Sequence, residues 1–339
     1  MKYSLNKYVV RFMKLCRIDY GDQTERGLRV MPQCFKIKPK KALVISNPVA
    51  GNRDQTLFDL VIAELSSLGW EICIRATSAI GDAQNIASQI NRDSSELDLV
   101  IVSGGDGTIN EVVNGLAGGR GLDIPIGLIP VGTVNLLASE LGLKKSVPSI
   151  VDALLNGVKR SLFLGKVRGV SGERVFLVSA GVGFDANAVS RVAMSVKKFH
   201  GKTAYALAGL IEYVFGSFPK YKVRLGGREY IVGSILLANG RYYAGRMVWA
   251  PKANVGERGL QIGLCKTIGR LTFPIYILGI MFGFLSKLKG FQIVDADEII
   301  IEGPRGRPVQ VDGDLHAHLP VCIQVAEERV IIYAPCAKG

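Results

Sequence analysis

The sequence lacks the features that would assign it at once to a familiar class. Its six cysteines are spread over 339 residues without a C-x-x-C pair, which argues against a disulfide-stabilised domain and indicates a reducing, cytosolic setting. It contains no G-x-x-x-x-G-K-[ST] segment, and no G-x-G-x-x-G opens the first predicted helix, so neither a P-loop nor a dinucleotide fingerprint is present. No apolar segment with a cleavage site stands at the N-terminus, and we expect the chain not to be exported.

Long apolar runs are also missing. The longest uncharged stretch, Leu271 to Ser286, has 16 residues and contains Pro274, whereas a membrane-spanning helix needs about 20. We therefore expect a buried or membrane-grazing helix in this stretch.

Positive charge is abundant and uneven. The formal net charge is +13, and residues 1–41 hold eleven Lys or Arg against three acids. Within this arm Leu5, Val9 and Phe12 share one side of a helical wheel, while Lys7 and Arg11 lie on the other. The pattern favours an interfacial helix on an anionic bilayer, with a helix packed on the protein's own body or an organellar targeting peptide as alternatives. No base-reading motif accompanies the arm, so we expect no nucleic-acid partner.

Residues 41–160 alternate between short β-branched runs and helical patterns, which predicts a Rossmann-like parallel sheet with helices on both faces. The predicted strands are 42–46, 71–76, 98–103 and 126–129, and the predicted helices are 57–68, 82–90 and 109–116. Ligands bind at the carboxyl ends of such strands, where three glycine-containing loops follow strands. We expect these loops to converge.

Residues 161–339 change to strand-like runs separated by hairpin signals, which predicts a second, β-rich antiparallel domain. One predicted hairpin joins 222–225 to 229–238, another joins 321–325 to 330–333 across two glutamates, and helices are expected at 186–197 and 204–215. The predicted organisation is thus a basic arm (1–40), an α/β domain (41–160) and a β-rich domain (161–339). We expect the site in the cleft between the last two.

The segment Gly104-Gly105-Asp106-Gly107-Thr108 is the strongest functional signal. Its glycines would let backbone amides approach an anion, and Thr108 with Glu111 is predicted to form a capping box that starts a helix. Asp106 could hold Mg²⁺ or accept a proton from an attacking hydroxyl. The alternative is a tight turn in which Asp106 only caps backbone donors.

Two further loops support this interpretation. The segment 47–53 supplies Asn47, Gly51 and the guanidinium of Arg53, which suits phosphate oxygens. The segment 132–135 supplies a glycine, a hydroxyl and an amide. Each loop alone is a weak signal, and their expected convergence strengthens both.

The order N-P-x-x-G, then G-G-D-G-T-x-N-E-V-x-N-G, then P-x-G-T-x-N-x-x-A-x-x-L-G resembles the diacylglycerol kinase catalytic family, which includes bacterial lipid kinases and sphingosine kinases. The resemblance continues through 180–185, 239–251 and 311–314, and so covers about residues 41–335. It implies a nucleotide-binding α/β domain, similar in outline to NAD kinases and phosphofructokinases, followed by a β-rich lipid-binding domain.

The resemblance also implies site residues and ligands. ATP with Mg²⁺ near Asp106 would be the nucleotide, and Asp185 would lie near the lipid headgroup. Asp106 and Asp314 are the candidate catalytic acids, and the choice of general base between them stays open. The implied nucleotide-binding residues are Asn47, Gly51, Arg53, Thr77, Gly104, Gly105, Gly107, Thr108, Gly132, Thr133, Asn135 and Asp312.

Some positions depart from the family pattern. Asp314 replaces the family's glutamate, which shortens the reach of this acid by one methylene. Arg258 stands where relatives often carry metal-supporting acids, so no metal site is assigned to the protein alone. We expect an ATP-dependent kinase of a membrane lipid such as diacylglycerol, cytoplasmic and peripheral to an anionic membrane. The alternatives are a kinase of sphingoid bases or other lipids, a catalytically impaired lipid-binding relative, and an NAD kinase; a homodimer is left open.

Overall fold

The computed structural model describes residues 40–50, 55–90, 97–119, 121–170, 172–187 and 218–336. Gly51 and Arg53 lie outside the described residues, as does the predicted arm apart from Lys40. The described residues belong to one compact unit, Pro39–Gly339. The domain boundary near residue 160 stays a prediction.

The first part of the chain forms the predicted parallel sheet. Its strands are β1 (Lys41–Ser46), β2 (Glu71–Ala76), β3 (Leu99–Gly104) and β4 (Ile126–Pro130), in the order β2-β1-β3-β4. Every residue of β3 and β4 is buried, because a central parallel strand is covered on both faces and favours an unbroken apolar run.

Helices follow these strands. They are α1 (Gln55–Ser67), α2 (Asp82–Ser88), α3 (Asp106–Gly118), α4 (Leu136–Glu140) and α5 (Val147–Asn156). Helix α3 begins at Asp106 rather than at the predicted Ile109, because Gly105 is extended (φ −95°, ψ −173°) and lets the backbone turn from strand to helix at once. Asp106, Gly107 and Thr108 therefore form the first helical turn.

The second part of the chain is rich in antiparallel strands, as predicted. The strands are β5 (Val158–Gly169), β6 (Gly172–Phe176), β7 (Ser179–Val182), β8 (Tyr221–Leu225), β9 (Arg228–Val232), β10 (Ser234–Ala238), β11 (Tyr242–Tyr243), β12 (Met247–Val248), β13 (Leu260–Cys265), β14 (Phe291–Ala296), β15 (Glu298–Glu302), β16 (Pro308–Val311), β17 (Asp314–His318) and β18 (Val321–Ala334). One sheet has the order β14-β13-β10-β7-β16-β17. Apolar residues from this sheet pack against β5, β8, β15 and β18 in a common core.

The last long strand connects the two parts. β18 pairs in parallel with β4 and antiparallel with β5 and β15. The parallel sheet therefore continues as β4-β18-β15-β8-β9 into strands of the second part. This places the carboxyl ends of β1, β3 and β4 in the same unit as β16 and β17.

Two hairpin predictions were wrong in detail. Residues 321–333 form the single strand β18, and both of its halves pair with β5 across a register shift between Val325 and Arg329. The two glutamates are poor turn formers, and Glu328 instead bonds to Lys166 at 2.7 Å. The predicted strand 229–238 is divided at Gly233 into β9 and β10, which belong to different sheets. The helices predicted at 186–197 and 204–215 lie outside the described residues, except for Ala186 and Asn187.

The uncharged stretch near residue 280 contains the short helix α6 (Phe273–Met281), followed by a 3₁₀ turn at Leu285–Lys287. Among the described residues, no helix combines the length and apolar character that crossing a membrane would require.

Candidate active site

The three predicted loops meet at the carboxyl ends of β1, β3 and β4. The amide of Asn47 donates to the carbonyl oxygen of Ser103 at 2.9 Å, and the amide of Gly132 donates to Gly104 at 3.3 Å. A Cβ atom on Gly132 would lie 2.5 Å from the Cα of Gly105. The loops therefore pack backbone against backbone, a closeness that only glycine allows. This confirms the predicted convergence.

Asn47 links the first loop to helix α3. Its side-chain Nδ2 donates to Thr108 Oγ1 at 3.2 Å, and its Oδ1 accepts from the amide of Val49 at 3.1 Å. Thr77 is buried just after β2, where its amide donates to Ser46 at 2.8 Å. Asn47, Thr77 and Thr108 are thus brought to the same edge of the sheet.

The start of α3 has no side-chain cap among the described residues. The predicted capping box between Thr108 and Glu111 is wrong. Glu111 instead accepts hydrogen bonds from the amides of Gly81 (3.0 Å) and Ala83 (3.2 Å), at the start of α2. Tertiary packing offers Glu111 these donors, and the first amides of α3 are left for an anion.

Asp106 caps a different helix. Its Oδ2 accepts from the amide of Leu136 at 2.9 Å and its Oδ1 from that of Leu137 at 3.1 Å, at the start of α4. Burial raises the pKa of Asp106, and these two hydrogen bonds oppose that rise. The structure therefore gives Asp106 the structural role that the sequence left as an alternative, and its catalytic role stays a prediction.

Asn135 is a buried acceptor in the third loop. It adopts a left-handed conformation (φ 55°), and its Nδ2 donates to the carbonyl oxygen of Gly132 at 2.7 Å. Its Oδ1 is buried without a hydrogen-bond partner among the described residues. A buried polar atom without a partner is unfavourable, so this oxygen is available to a ligand. Thr133, two residues earlier in the same loop, is exposed.

Asp312 and Asp314 point to different surroundings, although only Gly313 separates them. Asp312 has φ 48°, and its buried carboxylate accepts four hydrogen bonds of 2.7 to 3.0 Å, from the amides of Leu177, Val178 and Ser179 and from Asn110 Nδ2. These contacts tie the segment after β6 to α3. The predicted contact of Asp312 with nucleotide stays a prediction.

Asp314 faces the phosphate loop. A Cβ atom on Gly107 would lie 2.8 Å from Asp314 Oδ2, so the carboxyl group lies directly over the first turn of α3. The residue is exposed, yet desolvation of the carboxyl group raises its pKa. Arg174 lowers that pKa, while Glu111 and Asp312 raise it.

Arg174 was missed by the sequence analysis. It lies on β6, where its Nε donates to Asn110 Oδ1 at 3.0 Å and its Nη1 to Gln84 Oε1 at 3.1 Å. Burial lowers its pKa, and the charges of Glu111, Asp314 and Asp312 oppose this. Burial also lowers the pKa of His316 to about 4, with Arg174 acting in the same direction. No local motif marks Arg174, because only the packing of β6 on α3 brings it here.

Asp185 lies in a second, less polar region. The hydroxyl of Tyr243 donates to its Oδ1, and Gln310 Nε2 donates to its Oδ2 at 2.6 Å. The carboxyl group is buried, and this burial raises its pKa. A small apolar pocket lies alongside and is lined by Phe184, Tyr243, Cys265, Phe273, Tyr276 and Ile280, among others.

The described residues contain no cluster of three or more His, Cys, Asp or Glu that could hold a metal ion. Arg258, where relatives often carry acids, donates from Nε to Asp297 Oδ2 at 3.2 Å.

Comparison with known families and proteins gives consistent results. Residues 41–167 match a diacylglycerol kinase catalytic domain, and residues 177–334 match a YegS C-terminal NAD kinase beta sandwich-like domain. A diacylglycerol kinase of Mycobacterium tuberculosis is 28% identical over 87% of this chain and 95% of its own length. A diacylglycerol kinase of Bacillus subtilis is 37% identical, but the match spans 50% of this chain and only 55% of that protein. The crystal structure of a diacylglycerol kinase from Bacillus anthracis superposes with a TM-score of 0.69 at 26% identity, covering 88% of this chain and 98% of the other.

Proposed function

Because the chain belongs to the diacylglycerol kinase catalytic-domain family, we propose that it is an ATP-dependent kinase that phosphorylates a hydroxyl group of a membrane lipid such as diacylglycerol. The observation that carries the proposal is the position of Asp314. Its carboxyl group lies over the uncapped start of α3, where a phosphate group would be bound. An acid in this position can meet a hydroxyl group that approaches the phosphate.

The described residues fit a nucleotide. The uncapped amides of Gly107 and Thr108 at the positive end of the α3 dipole suit a phosphate group. The buried, unpaired Oδ1 of Asn135 can accept a hydrogen bond from a hydroxyl or amino group of the nucleotide. Arg53 and Gly51 remain predicted contributors from the first loop.

Mg²⁺ would accompany the nucleotide and neutralise charge that develops on the transferred phosphoryl group. Asp106 is the acid nearest in sequence to the phosphate-binding amides, and we propose that it holds the metal while it caps α4. Its two oxygens already accept one amide each, and a carboxylate has further acceptor capacity.

We propose Asp314 as the general base. Within the described residues, the carboxylate of Asp314 accepts no hydrogen bond from the protein, whereas the carboxylates of Asp106 and Asp312 accept hydrogen bonds from backbone amides. The raised pKa of Asp314 moves it toward the range in which a base works best at neutral pH. Asp314 would take the hydroxyl proton as the lipid oxygen bonds to the γ-phosphorus, and ADP would leave with the electrons of the broken P–O bond.

The lipid would widen the small apolar pocket beside Asp185 and lie against its lining. A pocket lined by Phe184, Phe273 and Tyr276 suits acyl chains, and the polar group formed by Asp185, Tyr243 and Gln310 suits a hydroxylated headgroup. The same lining would also accept a sphingoid base or a monoacylglycerol.

A transfer assay tests the proposal. Purified full-length protein is incubated with γ-labelled ATP, Mg²⁺ and detergent-dispersed diacylglycerol, monoacylglycerol, sphingosine or phosphatidylglycerol, with NAD as a further acceptor. We expect label in at least one lipid and its loss in Asp314→Ala. Label in NAD alone would show an NAD kinase, and label in no acceptor would show a catalytically impaired relative; either result contradicts the proposal.

A further inference from the structure

Helix α6 carries an apolar stripe on its outer face. The exposed fractions are 46% for Ile275, 45% for Leu278 and 57% for Met281 in the helix, 87% for Leu271 in the turn before it and 71% for Phe282 directly after it. The spacing of Leu271, Ile275, Leu278 and Phe282 follows one side of a helix. A contiguous apolar surface of this kind marks an interaction site more often than a scattered apolar residue does.

The inner face of the same helix is apolar as well. Phe273, Tyr276, Ile277 and Ile280 line the pocket beside Asp185, and Phe273 packs on Phe184 with ring centroids 4.2 Å apart. A helix that is apolar on both faces and lies at the protein surface leaves one face without a partner. One face of α6 therefore lines the proposed lipid pocket, and the opposite face exposes apolar side chains.

The charges around α6 indicate what covers it. Lys266, Arg270, Lys287 and Lys289 are exposed and flank the helix on either side in sequence. No acid occurs between Glu257 and Asp295. Among the residues that the structure describes, none of the four cations forms an ion pair. An exposed apolar stripe bordered by unpaired cations is complementary to an anionic bilayer, which offers acyl chains below a layer of negative headgroups.

We propose that the outer face of α6, defined by Leu271, Ile275, Leu278, Met281 and Phe282, is a membrane-docking surface that inserts into the interface of an anionic bilayer beside the mouth of the lipid pocket. This inference rests on the proposed function in its choice of a membrane as the occupant. α6 has nine residues and a length of about 14 Å, so it would lie in the interface and not cross the bilayer.

A site-specific probe distinguishes the bilayer from other occupants. Phe282→Trp places an indole on the surface, while the native Trp70 and Trp249 are buried and provide the background signal of the unsubstituted protein. Without vesicles, we expect the added fluorescence to be that of an exposed indole. With vesicles of brominated phosphatidylcholine and phosphatidylglycerol in equal amounts, we expect a blue shift and quenching.

Two results of this probe would overturn the proposal. A buried emission spectrum without vesicles would show that the arm or a second copy of the chain covers the surface. An exposed spectrum that vesicles do not change, while the protein still sediments with them, would show that the arm alone binds the membrane. The measurement needs neither ATP nor turnover, so it is independent of whether the kinase proposal holds.

A matched pair of variants measures the contribution of the stripe. In the full-length protein, Leu271→Ser with Phe282→Ser should weaken co-sedimentation with the same vesicles by at least about tenfold, since both side chains lose their apolar contact with lipid. The control is Val170→Ser with Ile231→Ser, which replaces two side chains that are 88% and 57% exposed, one in the turn after β5 and one on β9, and it should leave binding unchanged. Equal loss in both pairs, or no loss in either, would contradict a specific surface.

The basic border is tested separately. Arg270→Gln with Lys287→Gln and Lys289→Gln should reduce binding to phosphatidylglycerol-containing vesicles several-fold and remove most of its salt dependence, because each cation near such a surface contributes a screened attraction. Binding to pure phosphatidylcholine should be unchanged. A salt dependence identical to that of the unsubstituted protein would assign the electrostatic attraction to the arm and contradict this part of the proposal.

Discussion

The proposed nucleotide side of the candidate site and its proposed lipid side differ in the groups that form them. On the nucleotide side, backbone atoms of three glycine-containing loops lie against one another, and the side chains that surround them are polar. On the lipid side, one buried acid with two hydrogen-bond donors borders a pocket lined mainly by aromatic and aliphatic side chains. Adding a methyl group to a glycine should therefore lower activity on the first side, whereas removing the charge of the buried acid should weaken lipid binding on the second.

The largest effect is expected at Asp314, where the two sides meet. Asp314→Ala should lower kcat by about 10²- to 10⁴-fold, the usual contribution of a general base. Asp314→Glu should retain or raise activity, because it keeps the charge and restores the residue that relatives carry. Both are measured by steady-state kinetics with lipid in detergent micelles. An alanine variant as active as the unsubstituted protein would make Asp106 the leading candidate for the base.

Asp106→Asn should reduce both activity and stability. An amide offers one acceptor where the carboxylate offers two, so the cap of α4 would be weakened at a cost of about 1 kcal/mol in the free energy of unfolding. We expect kcat to fall by at least tenfold, about 1.4 kcal/mol in barrier. Urea unfolding and kinetics measure the two effects.

Asp82→Asn is the control. The carboxylate of Asp82 accepts hydrogen bonds from Ser78 and Ala79 on an exposed turn, so this substitution should affect stability alone. Full activity in Asp106→Asn would limit Asp106 to its structural role.

Gly107→Ala tests the close approach on the nucleotide side. The new Cβ would lie 2.8 Å from Asp314 Oδ2 and should displace this carboxyl group, so we expect kcat to fall by about tenfold, roughly 1.4 kcal/mol in barrier. Gly118→Ala in the same helix is the control, because nothing lies within 4 Å of its Cβ position. The control should keep activity and stabilise α3 by up to about 1 kcal/mol. Equal activity of the two variants would show that the contact is unimportant.

Asp185→Asn tests the lipid side. The amide has only one acceptor oxygen, so one of the two donors, Tyr243 or Gln310, loses its hydrogen bond. We expect KM for the lipid to rise about five- to tenfold, corresponding to about 1 kcal/mol of binding, with KM for ATP unchanged. Parallel titrations of ATP and lipid measure this. A rise in KM for ATP instead would remove the distinction between the two sides.

The smallest effect concerns pH. A general base must be ionised, so activity is lost as the pH falls through the raised pKa of Asp314, above its ordinary value near 3.9. Arg174 lowers this pKa and Glu111 raises it. Arg174→Met should therefore move the acid limb of kcat/KM to higher pH, and Glu111→Gln should move it to lower pH.

Arg168→Met is the matched control for the pH profile, because Arg168 is exposed and pairs with Glu173. It should leave the acid limb in place. Shifts of the same direction in Arg174→Met and Glu111→Gln would show that charge near Asp314 does not control the limb.

Much of the nucleotide side could be predicted from sequence because its signals are local. Each loop follows a buried strand, and glycine at a strand end allows few structures other than a tight turn or a close approach. The convergence of Asn47, Gly105 and Gly132 follows from these rules and the parallel strand order. The position of Asp314 over Gly107 does not, because these residues come from distant parts of the chain.

Local signals failed where the chain had a choice of partners. The sequence Thr108-x-x-Glu111 satisfies the capping-box pattern, yet Glu111 caps α2, whose free amides lie closer in the folded chain. Residues 321–333 satisfy an alternating pattern with a charged interruption, yet β5 is long enough to pair with both halves. A pattern of residue types does not state which of two available partners is nearer.

Residue order alone was sufficient to predict the class of fold, the resemblance to the diacylglycerol kinase catalytic family and the convergence of three glycine-containing loops, because strand-end glycines and strand–helix alternation are signals between neighbours along the chain. Tertiary contacts were needed to show that Asp106 caps α4, that Asp312 accepts four hydrogen bonds while Asp314 faces Gly107, that the charge of Arg174 acts on Asp314, and that α6 keeps an apolar outer face. The physical reason is that hydrogen bonding, burial and charge depend on distances in space between groups that are far apart in sequence.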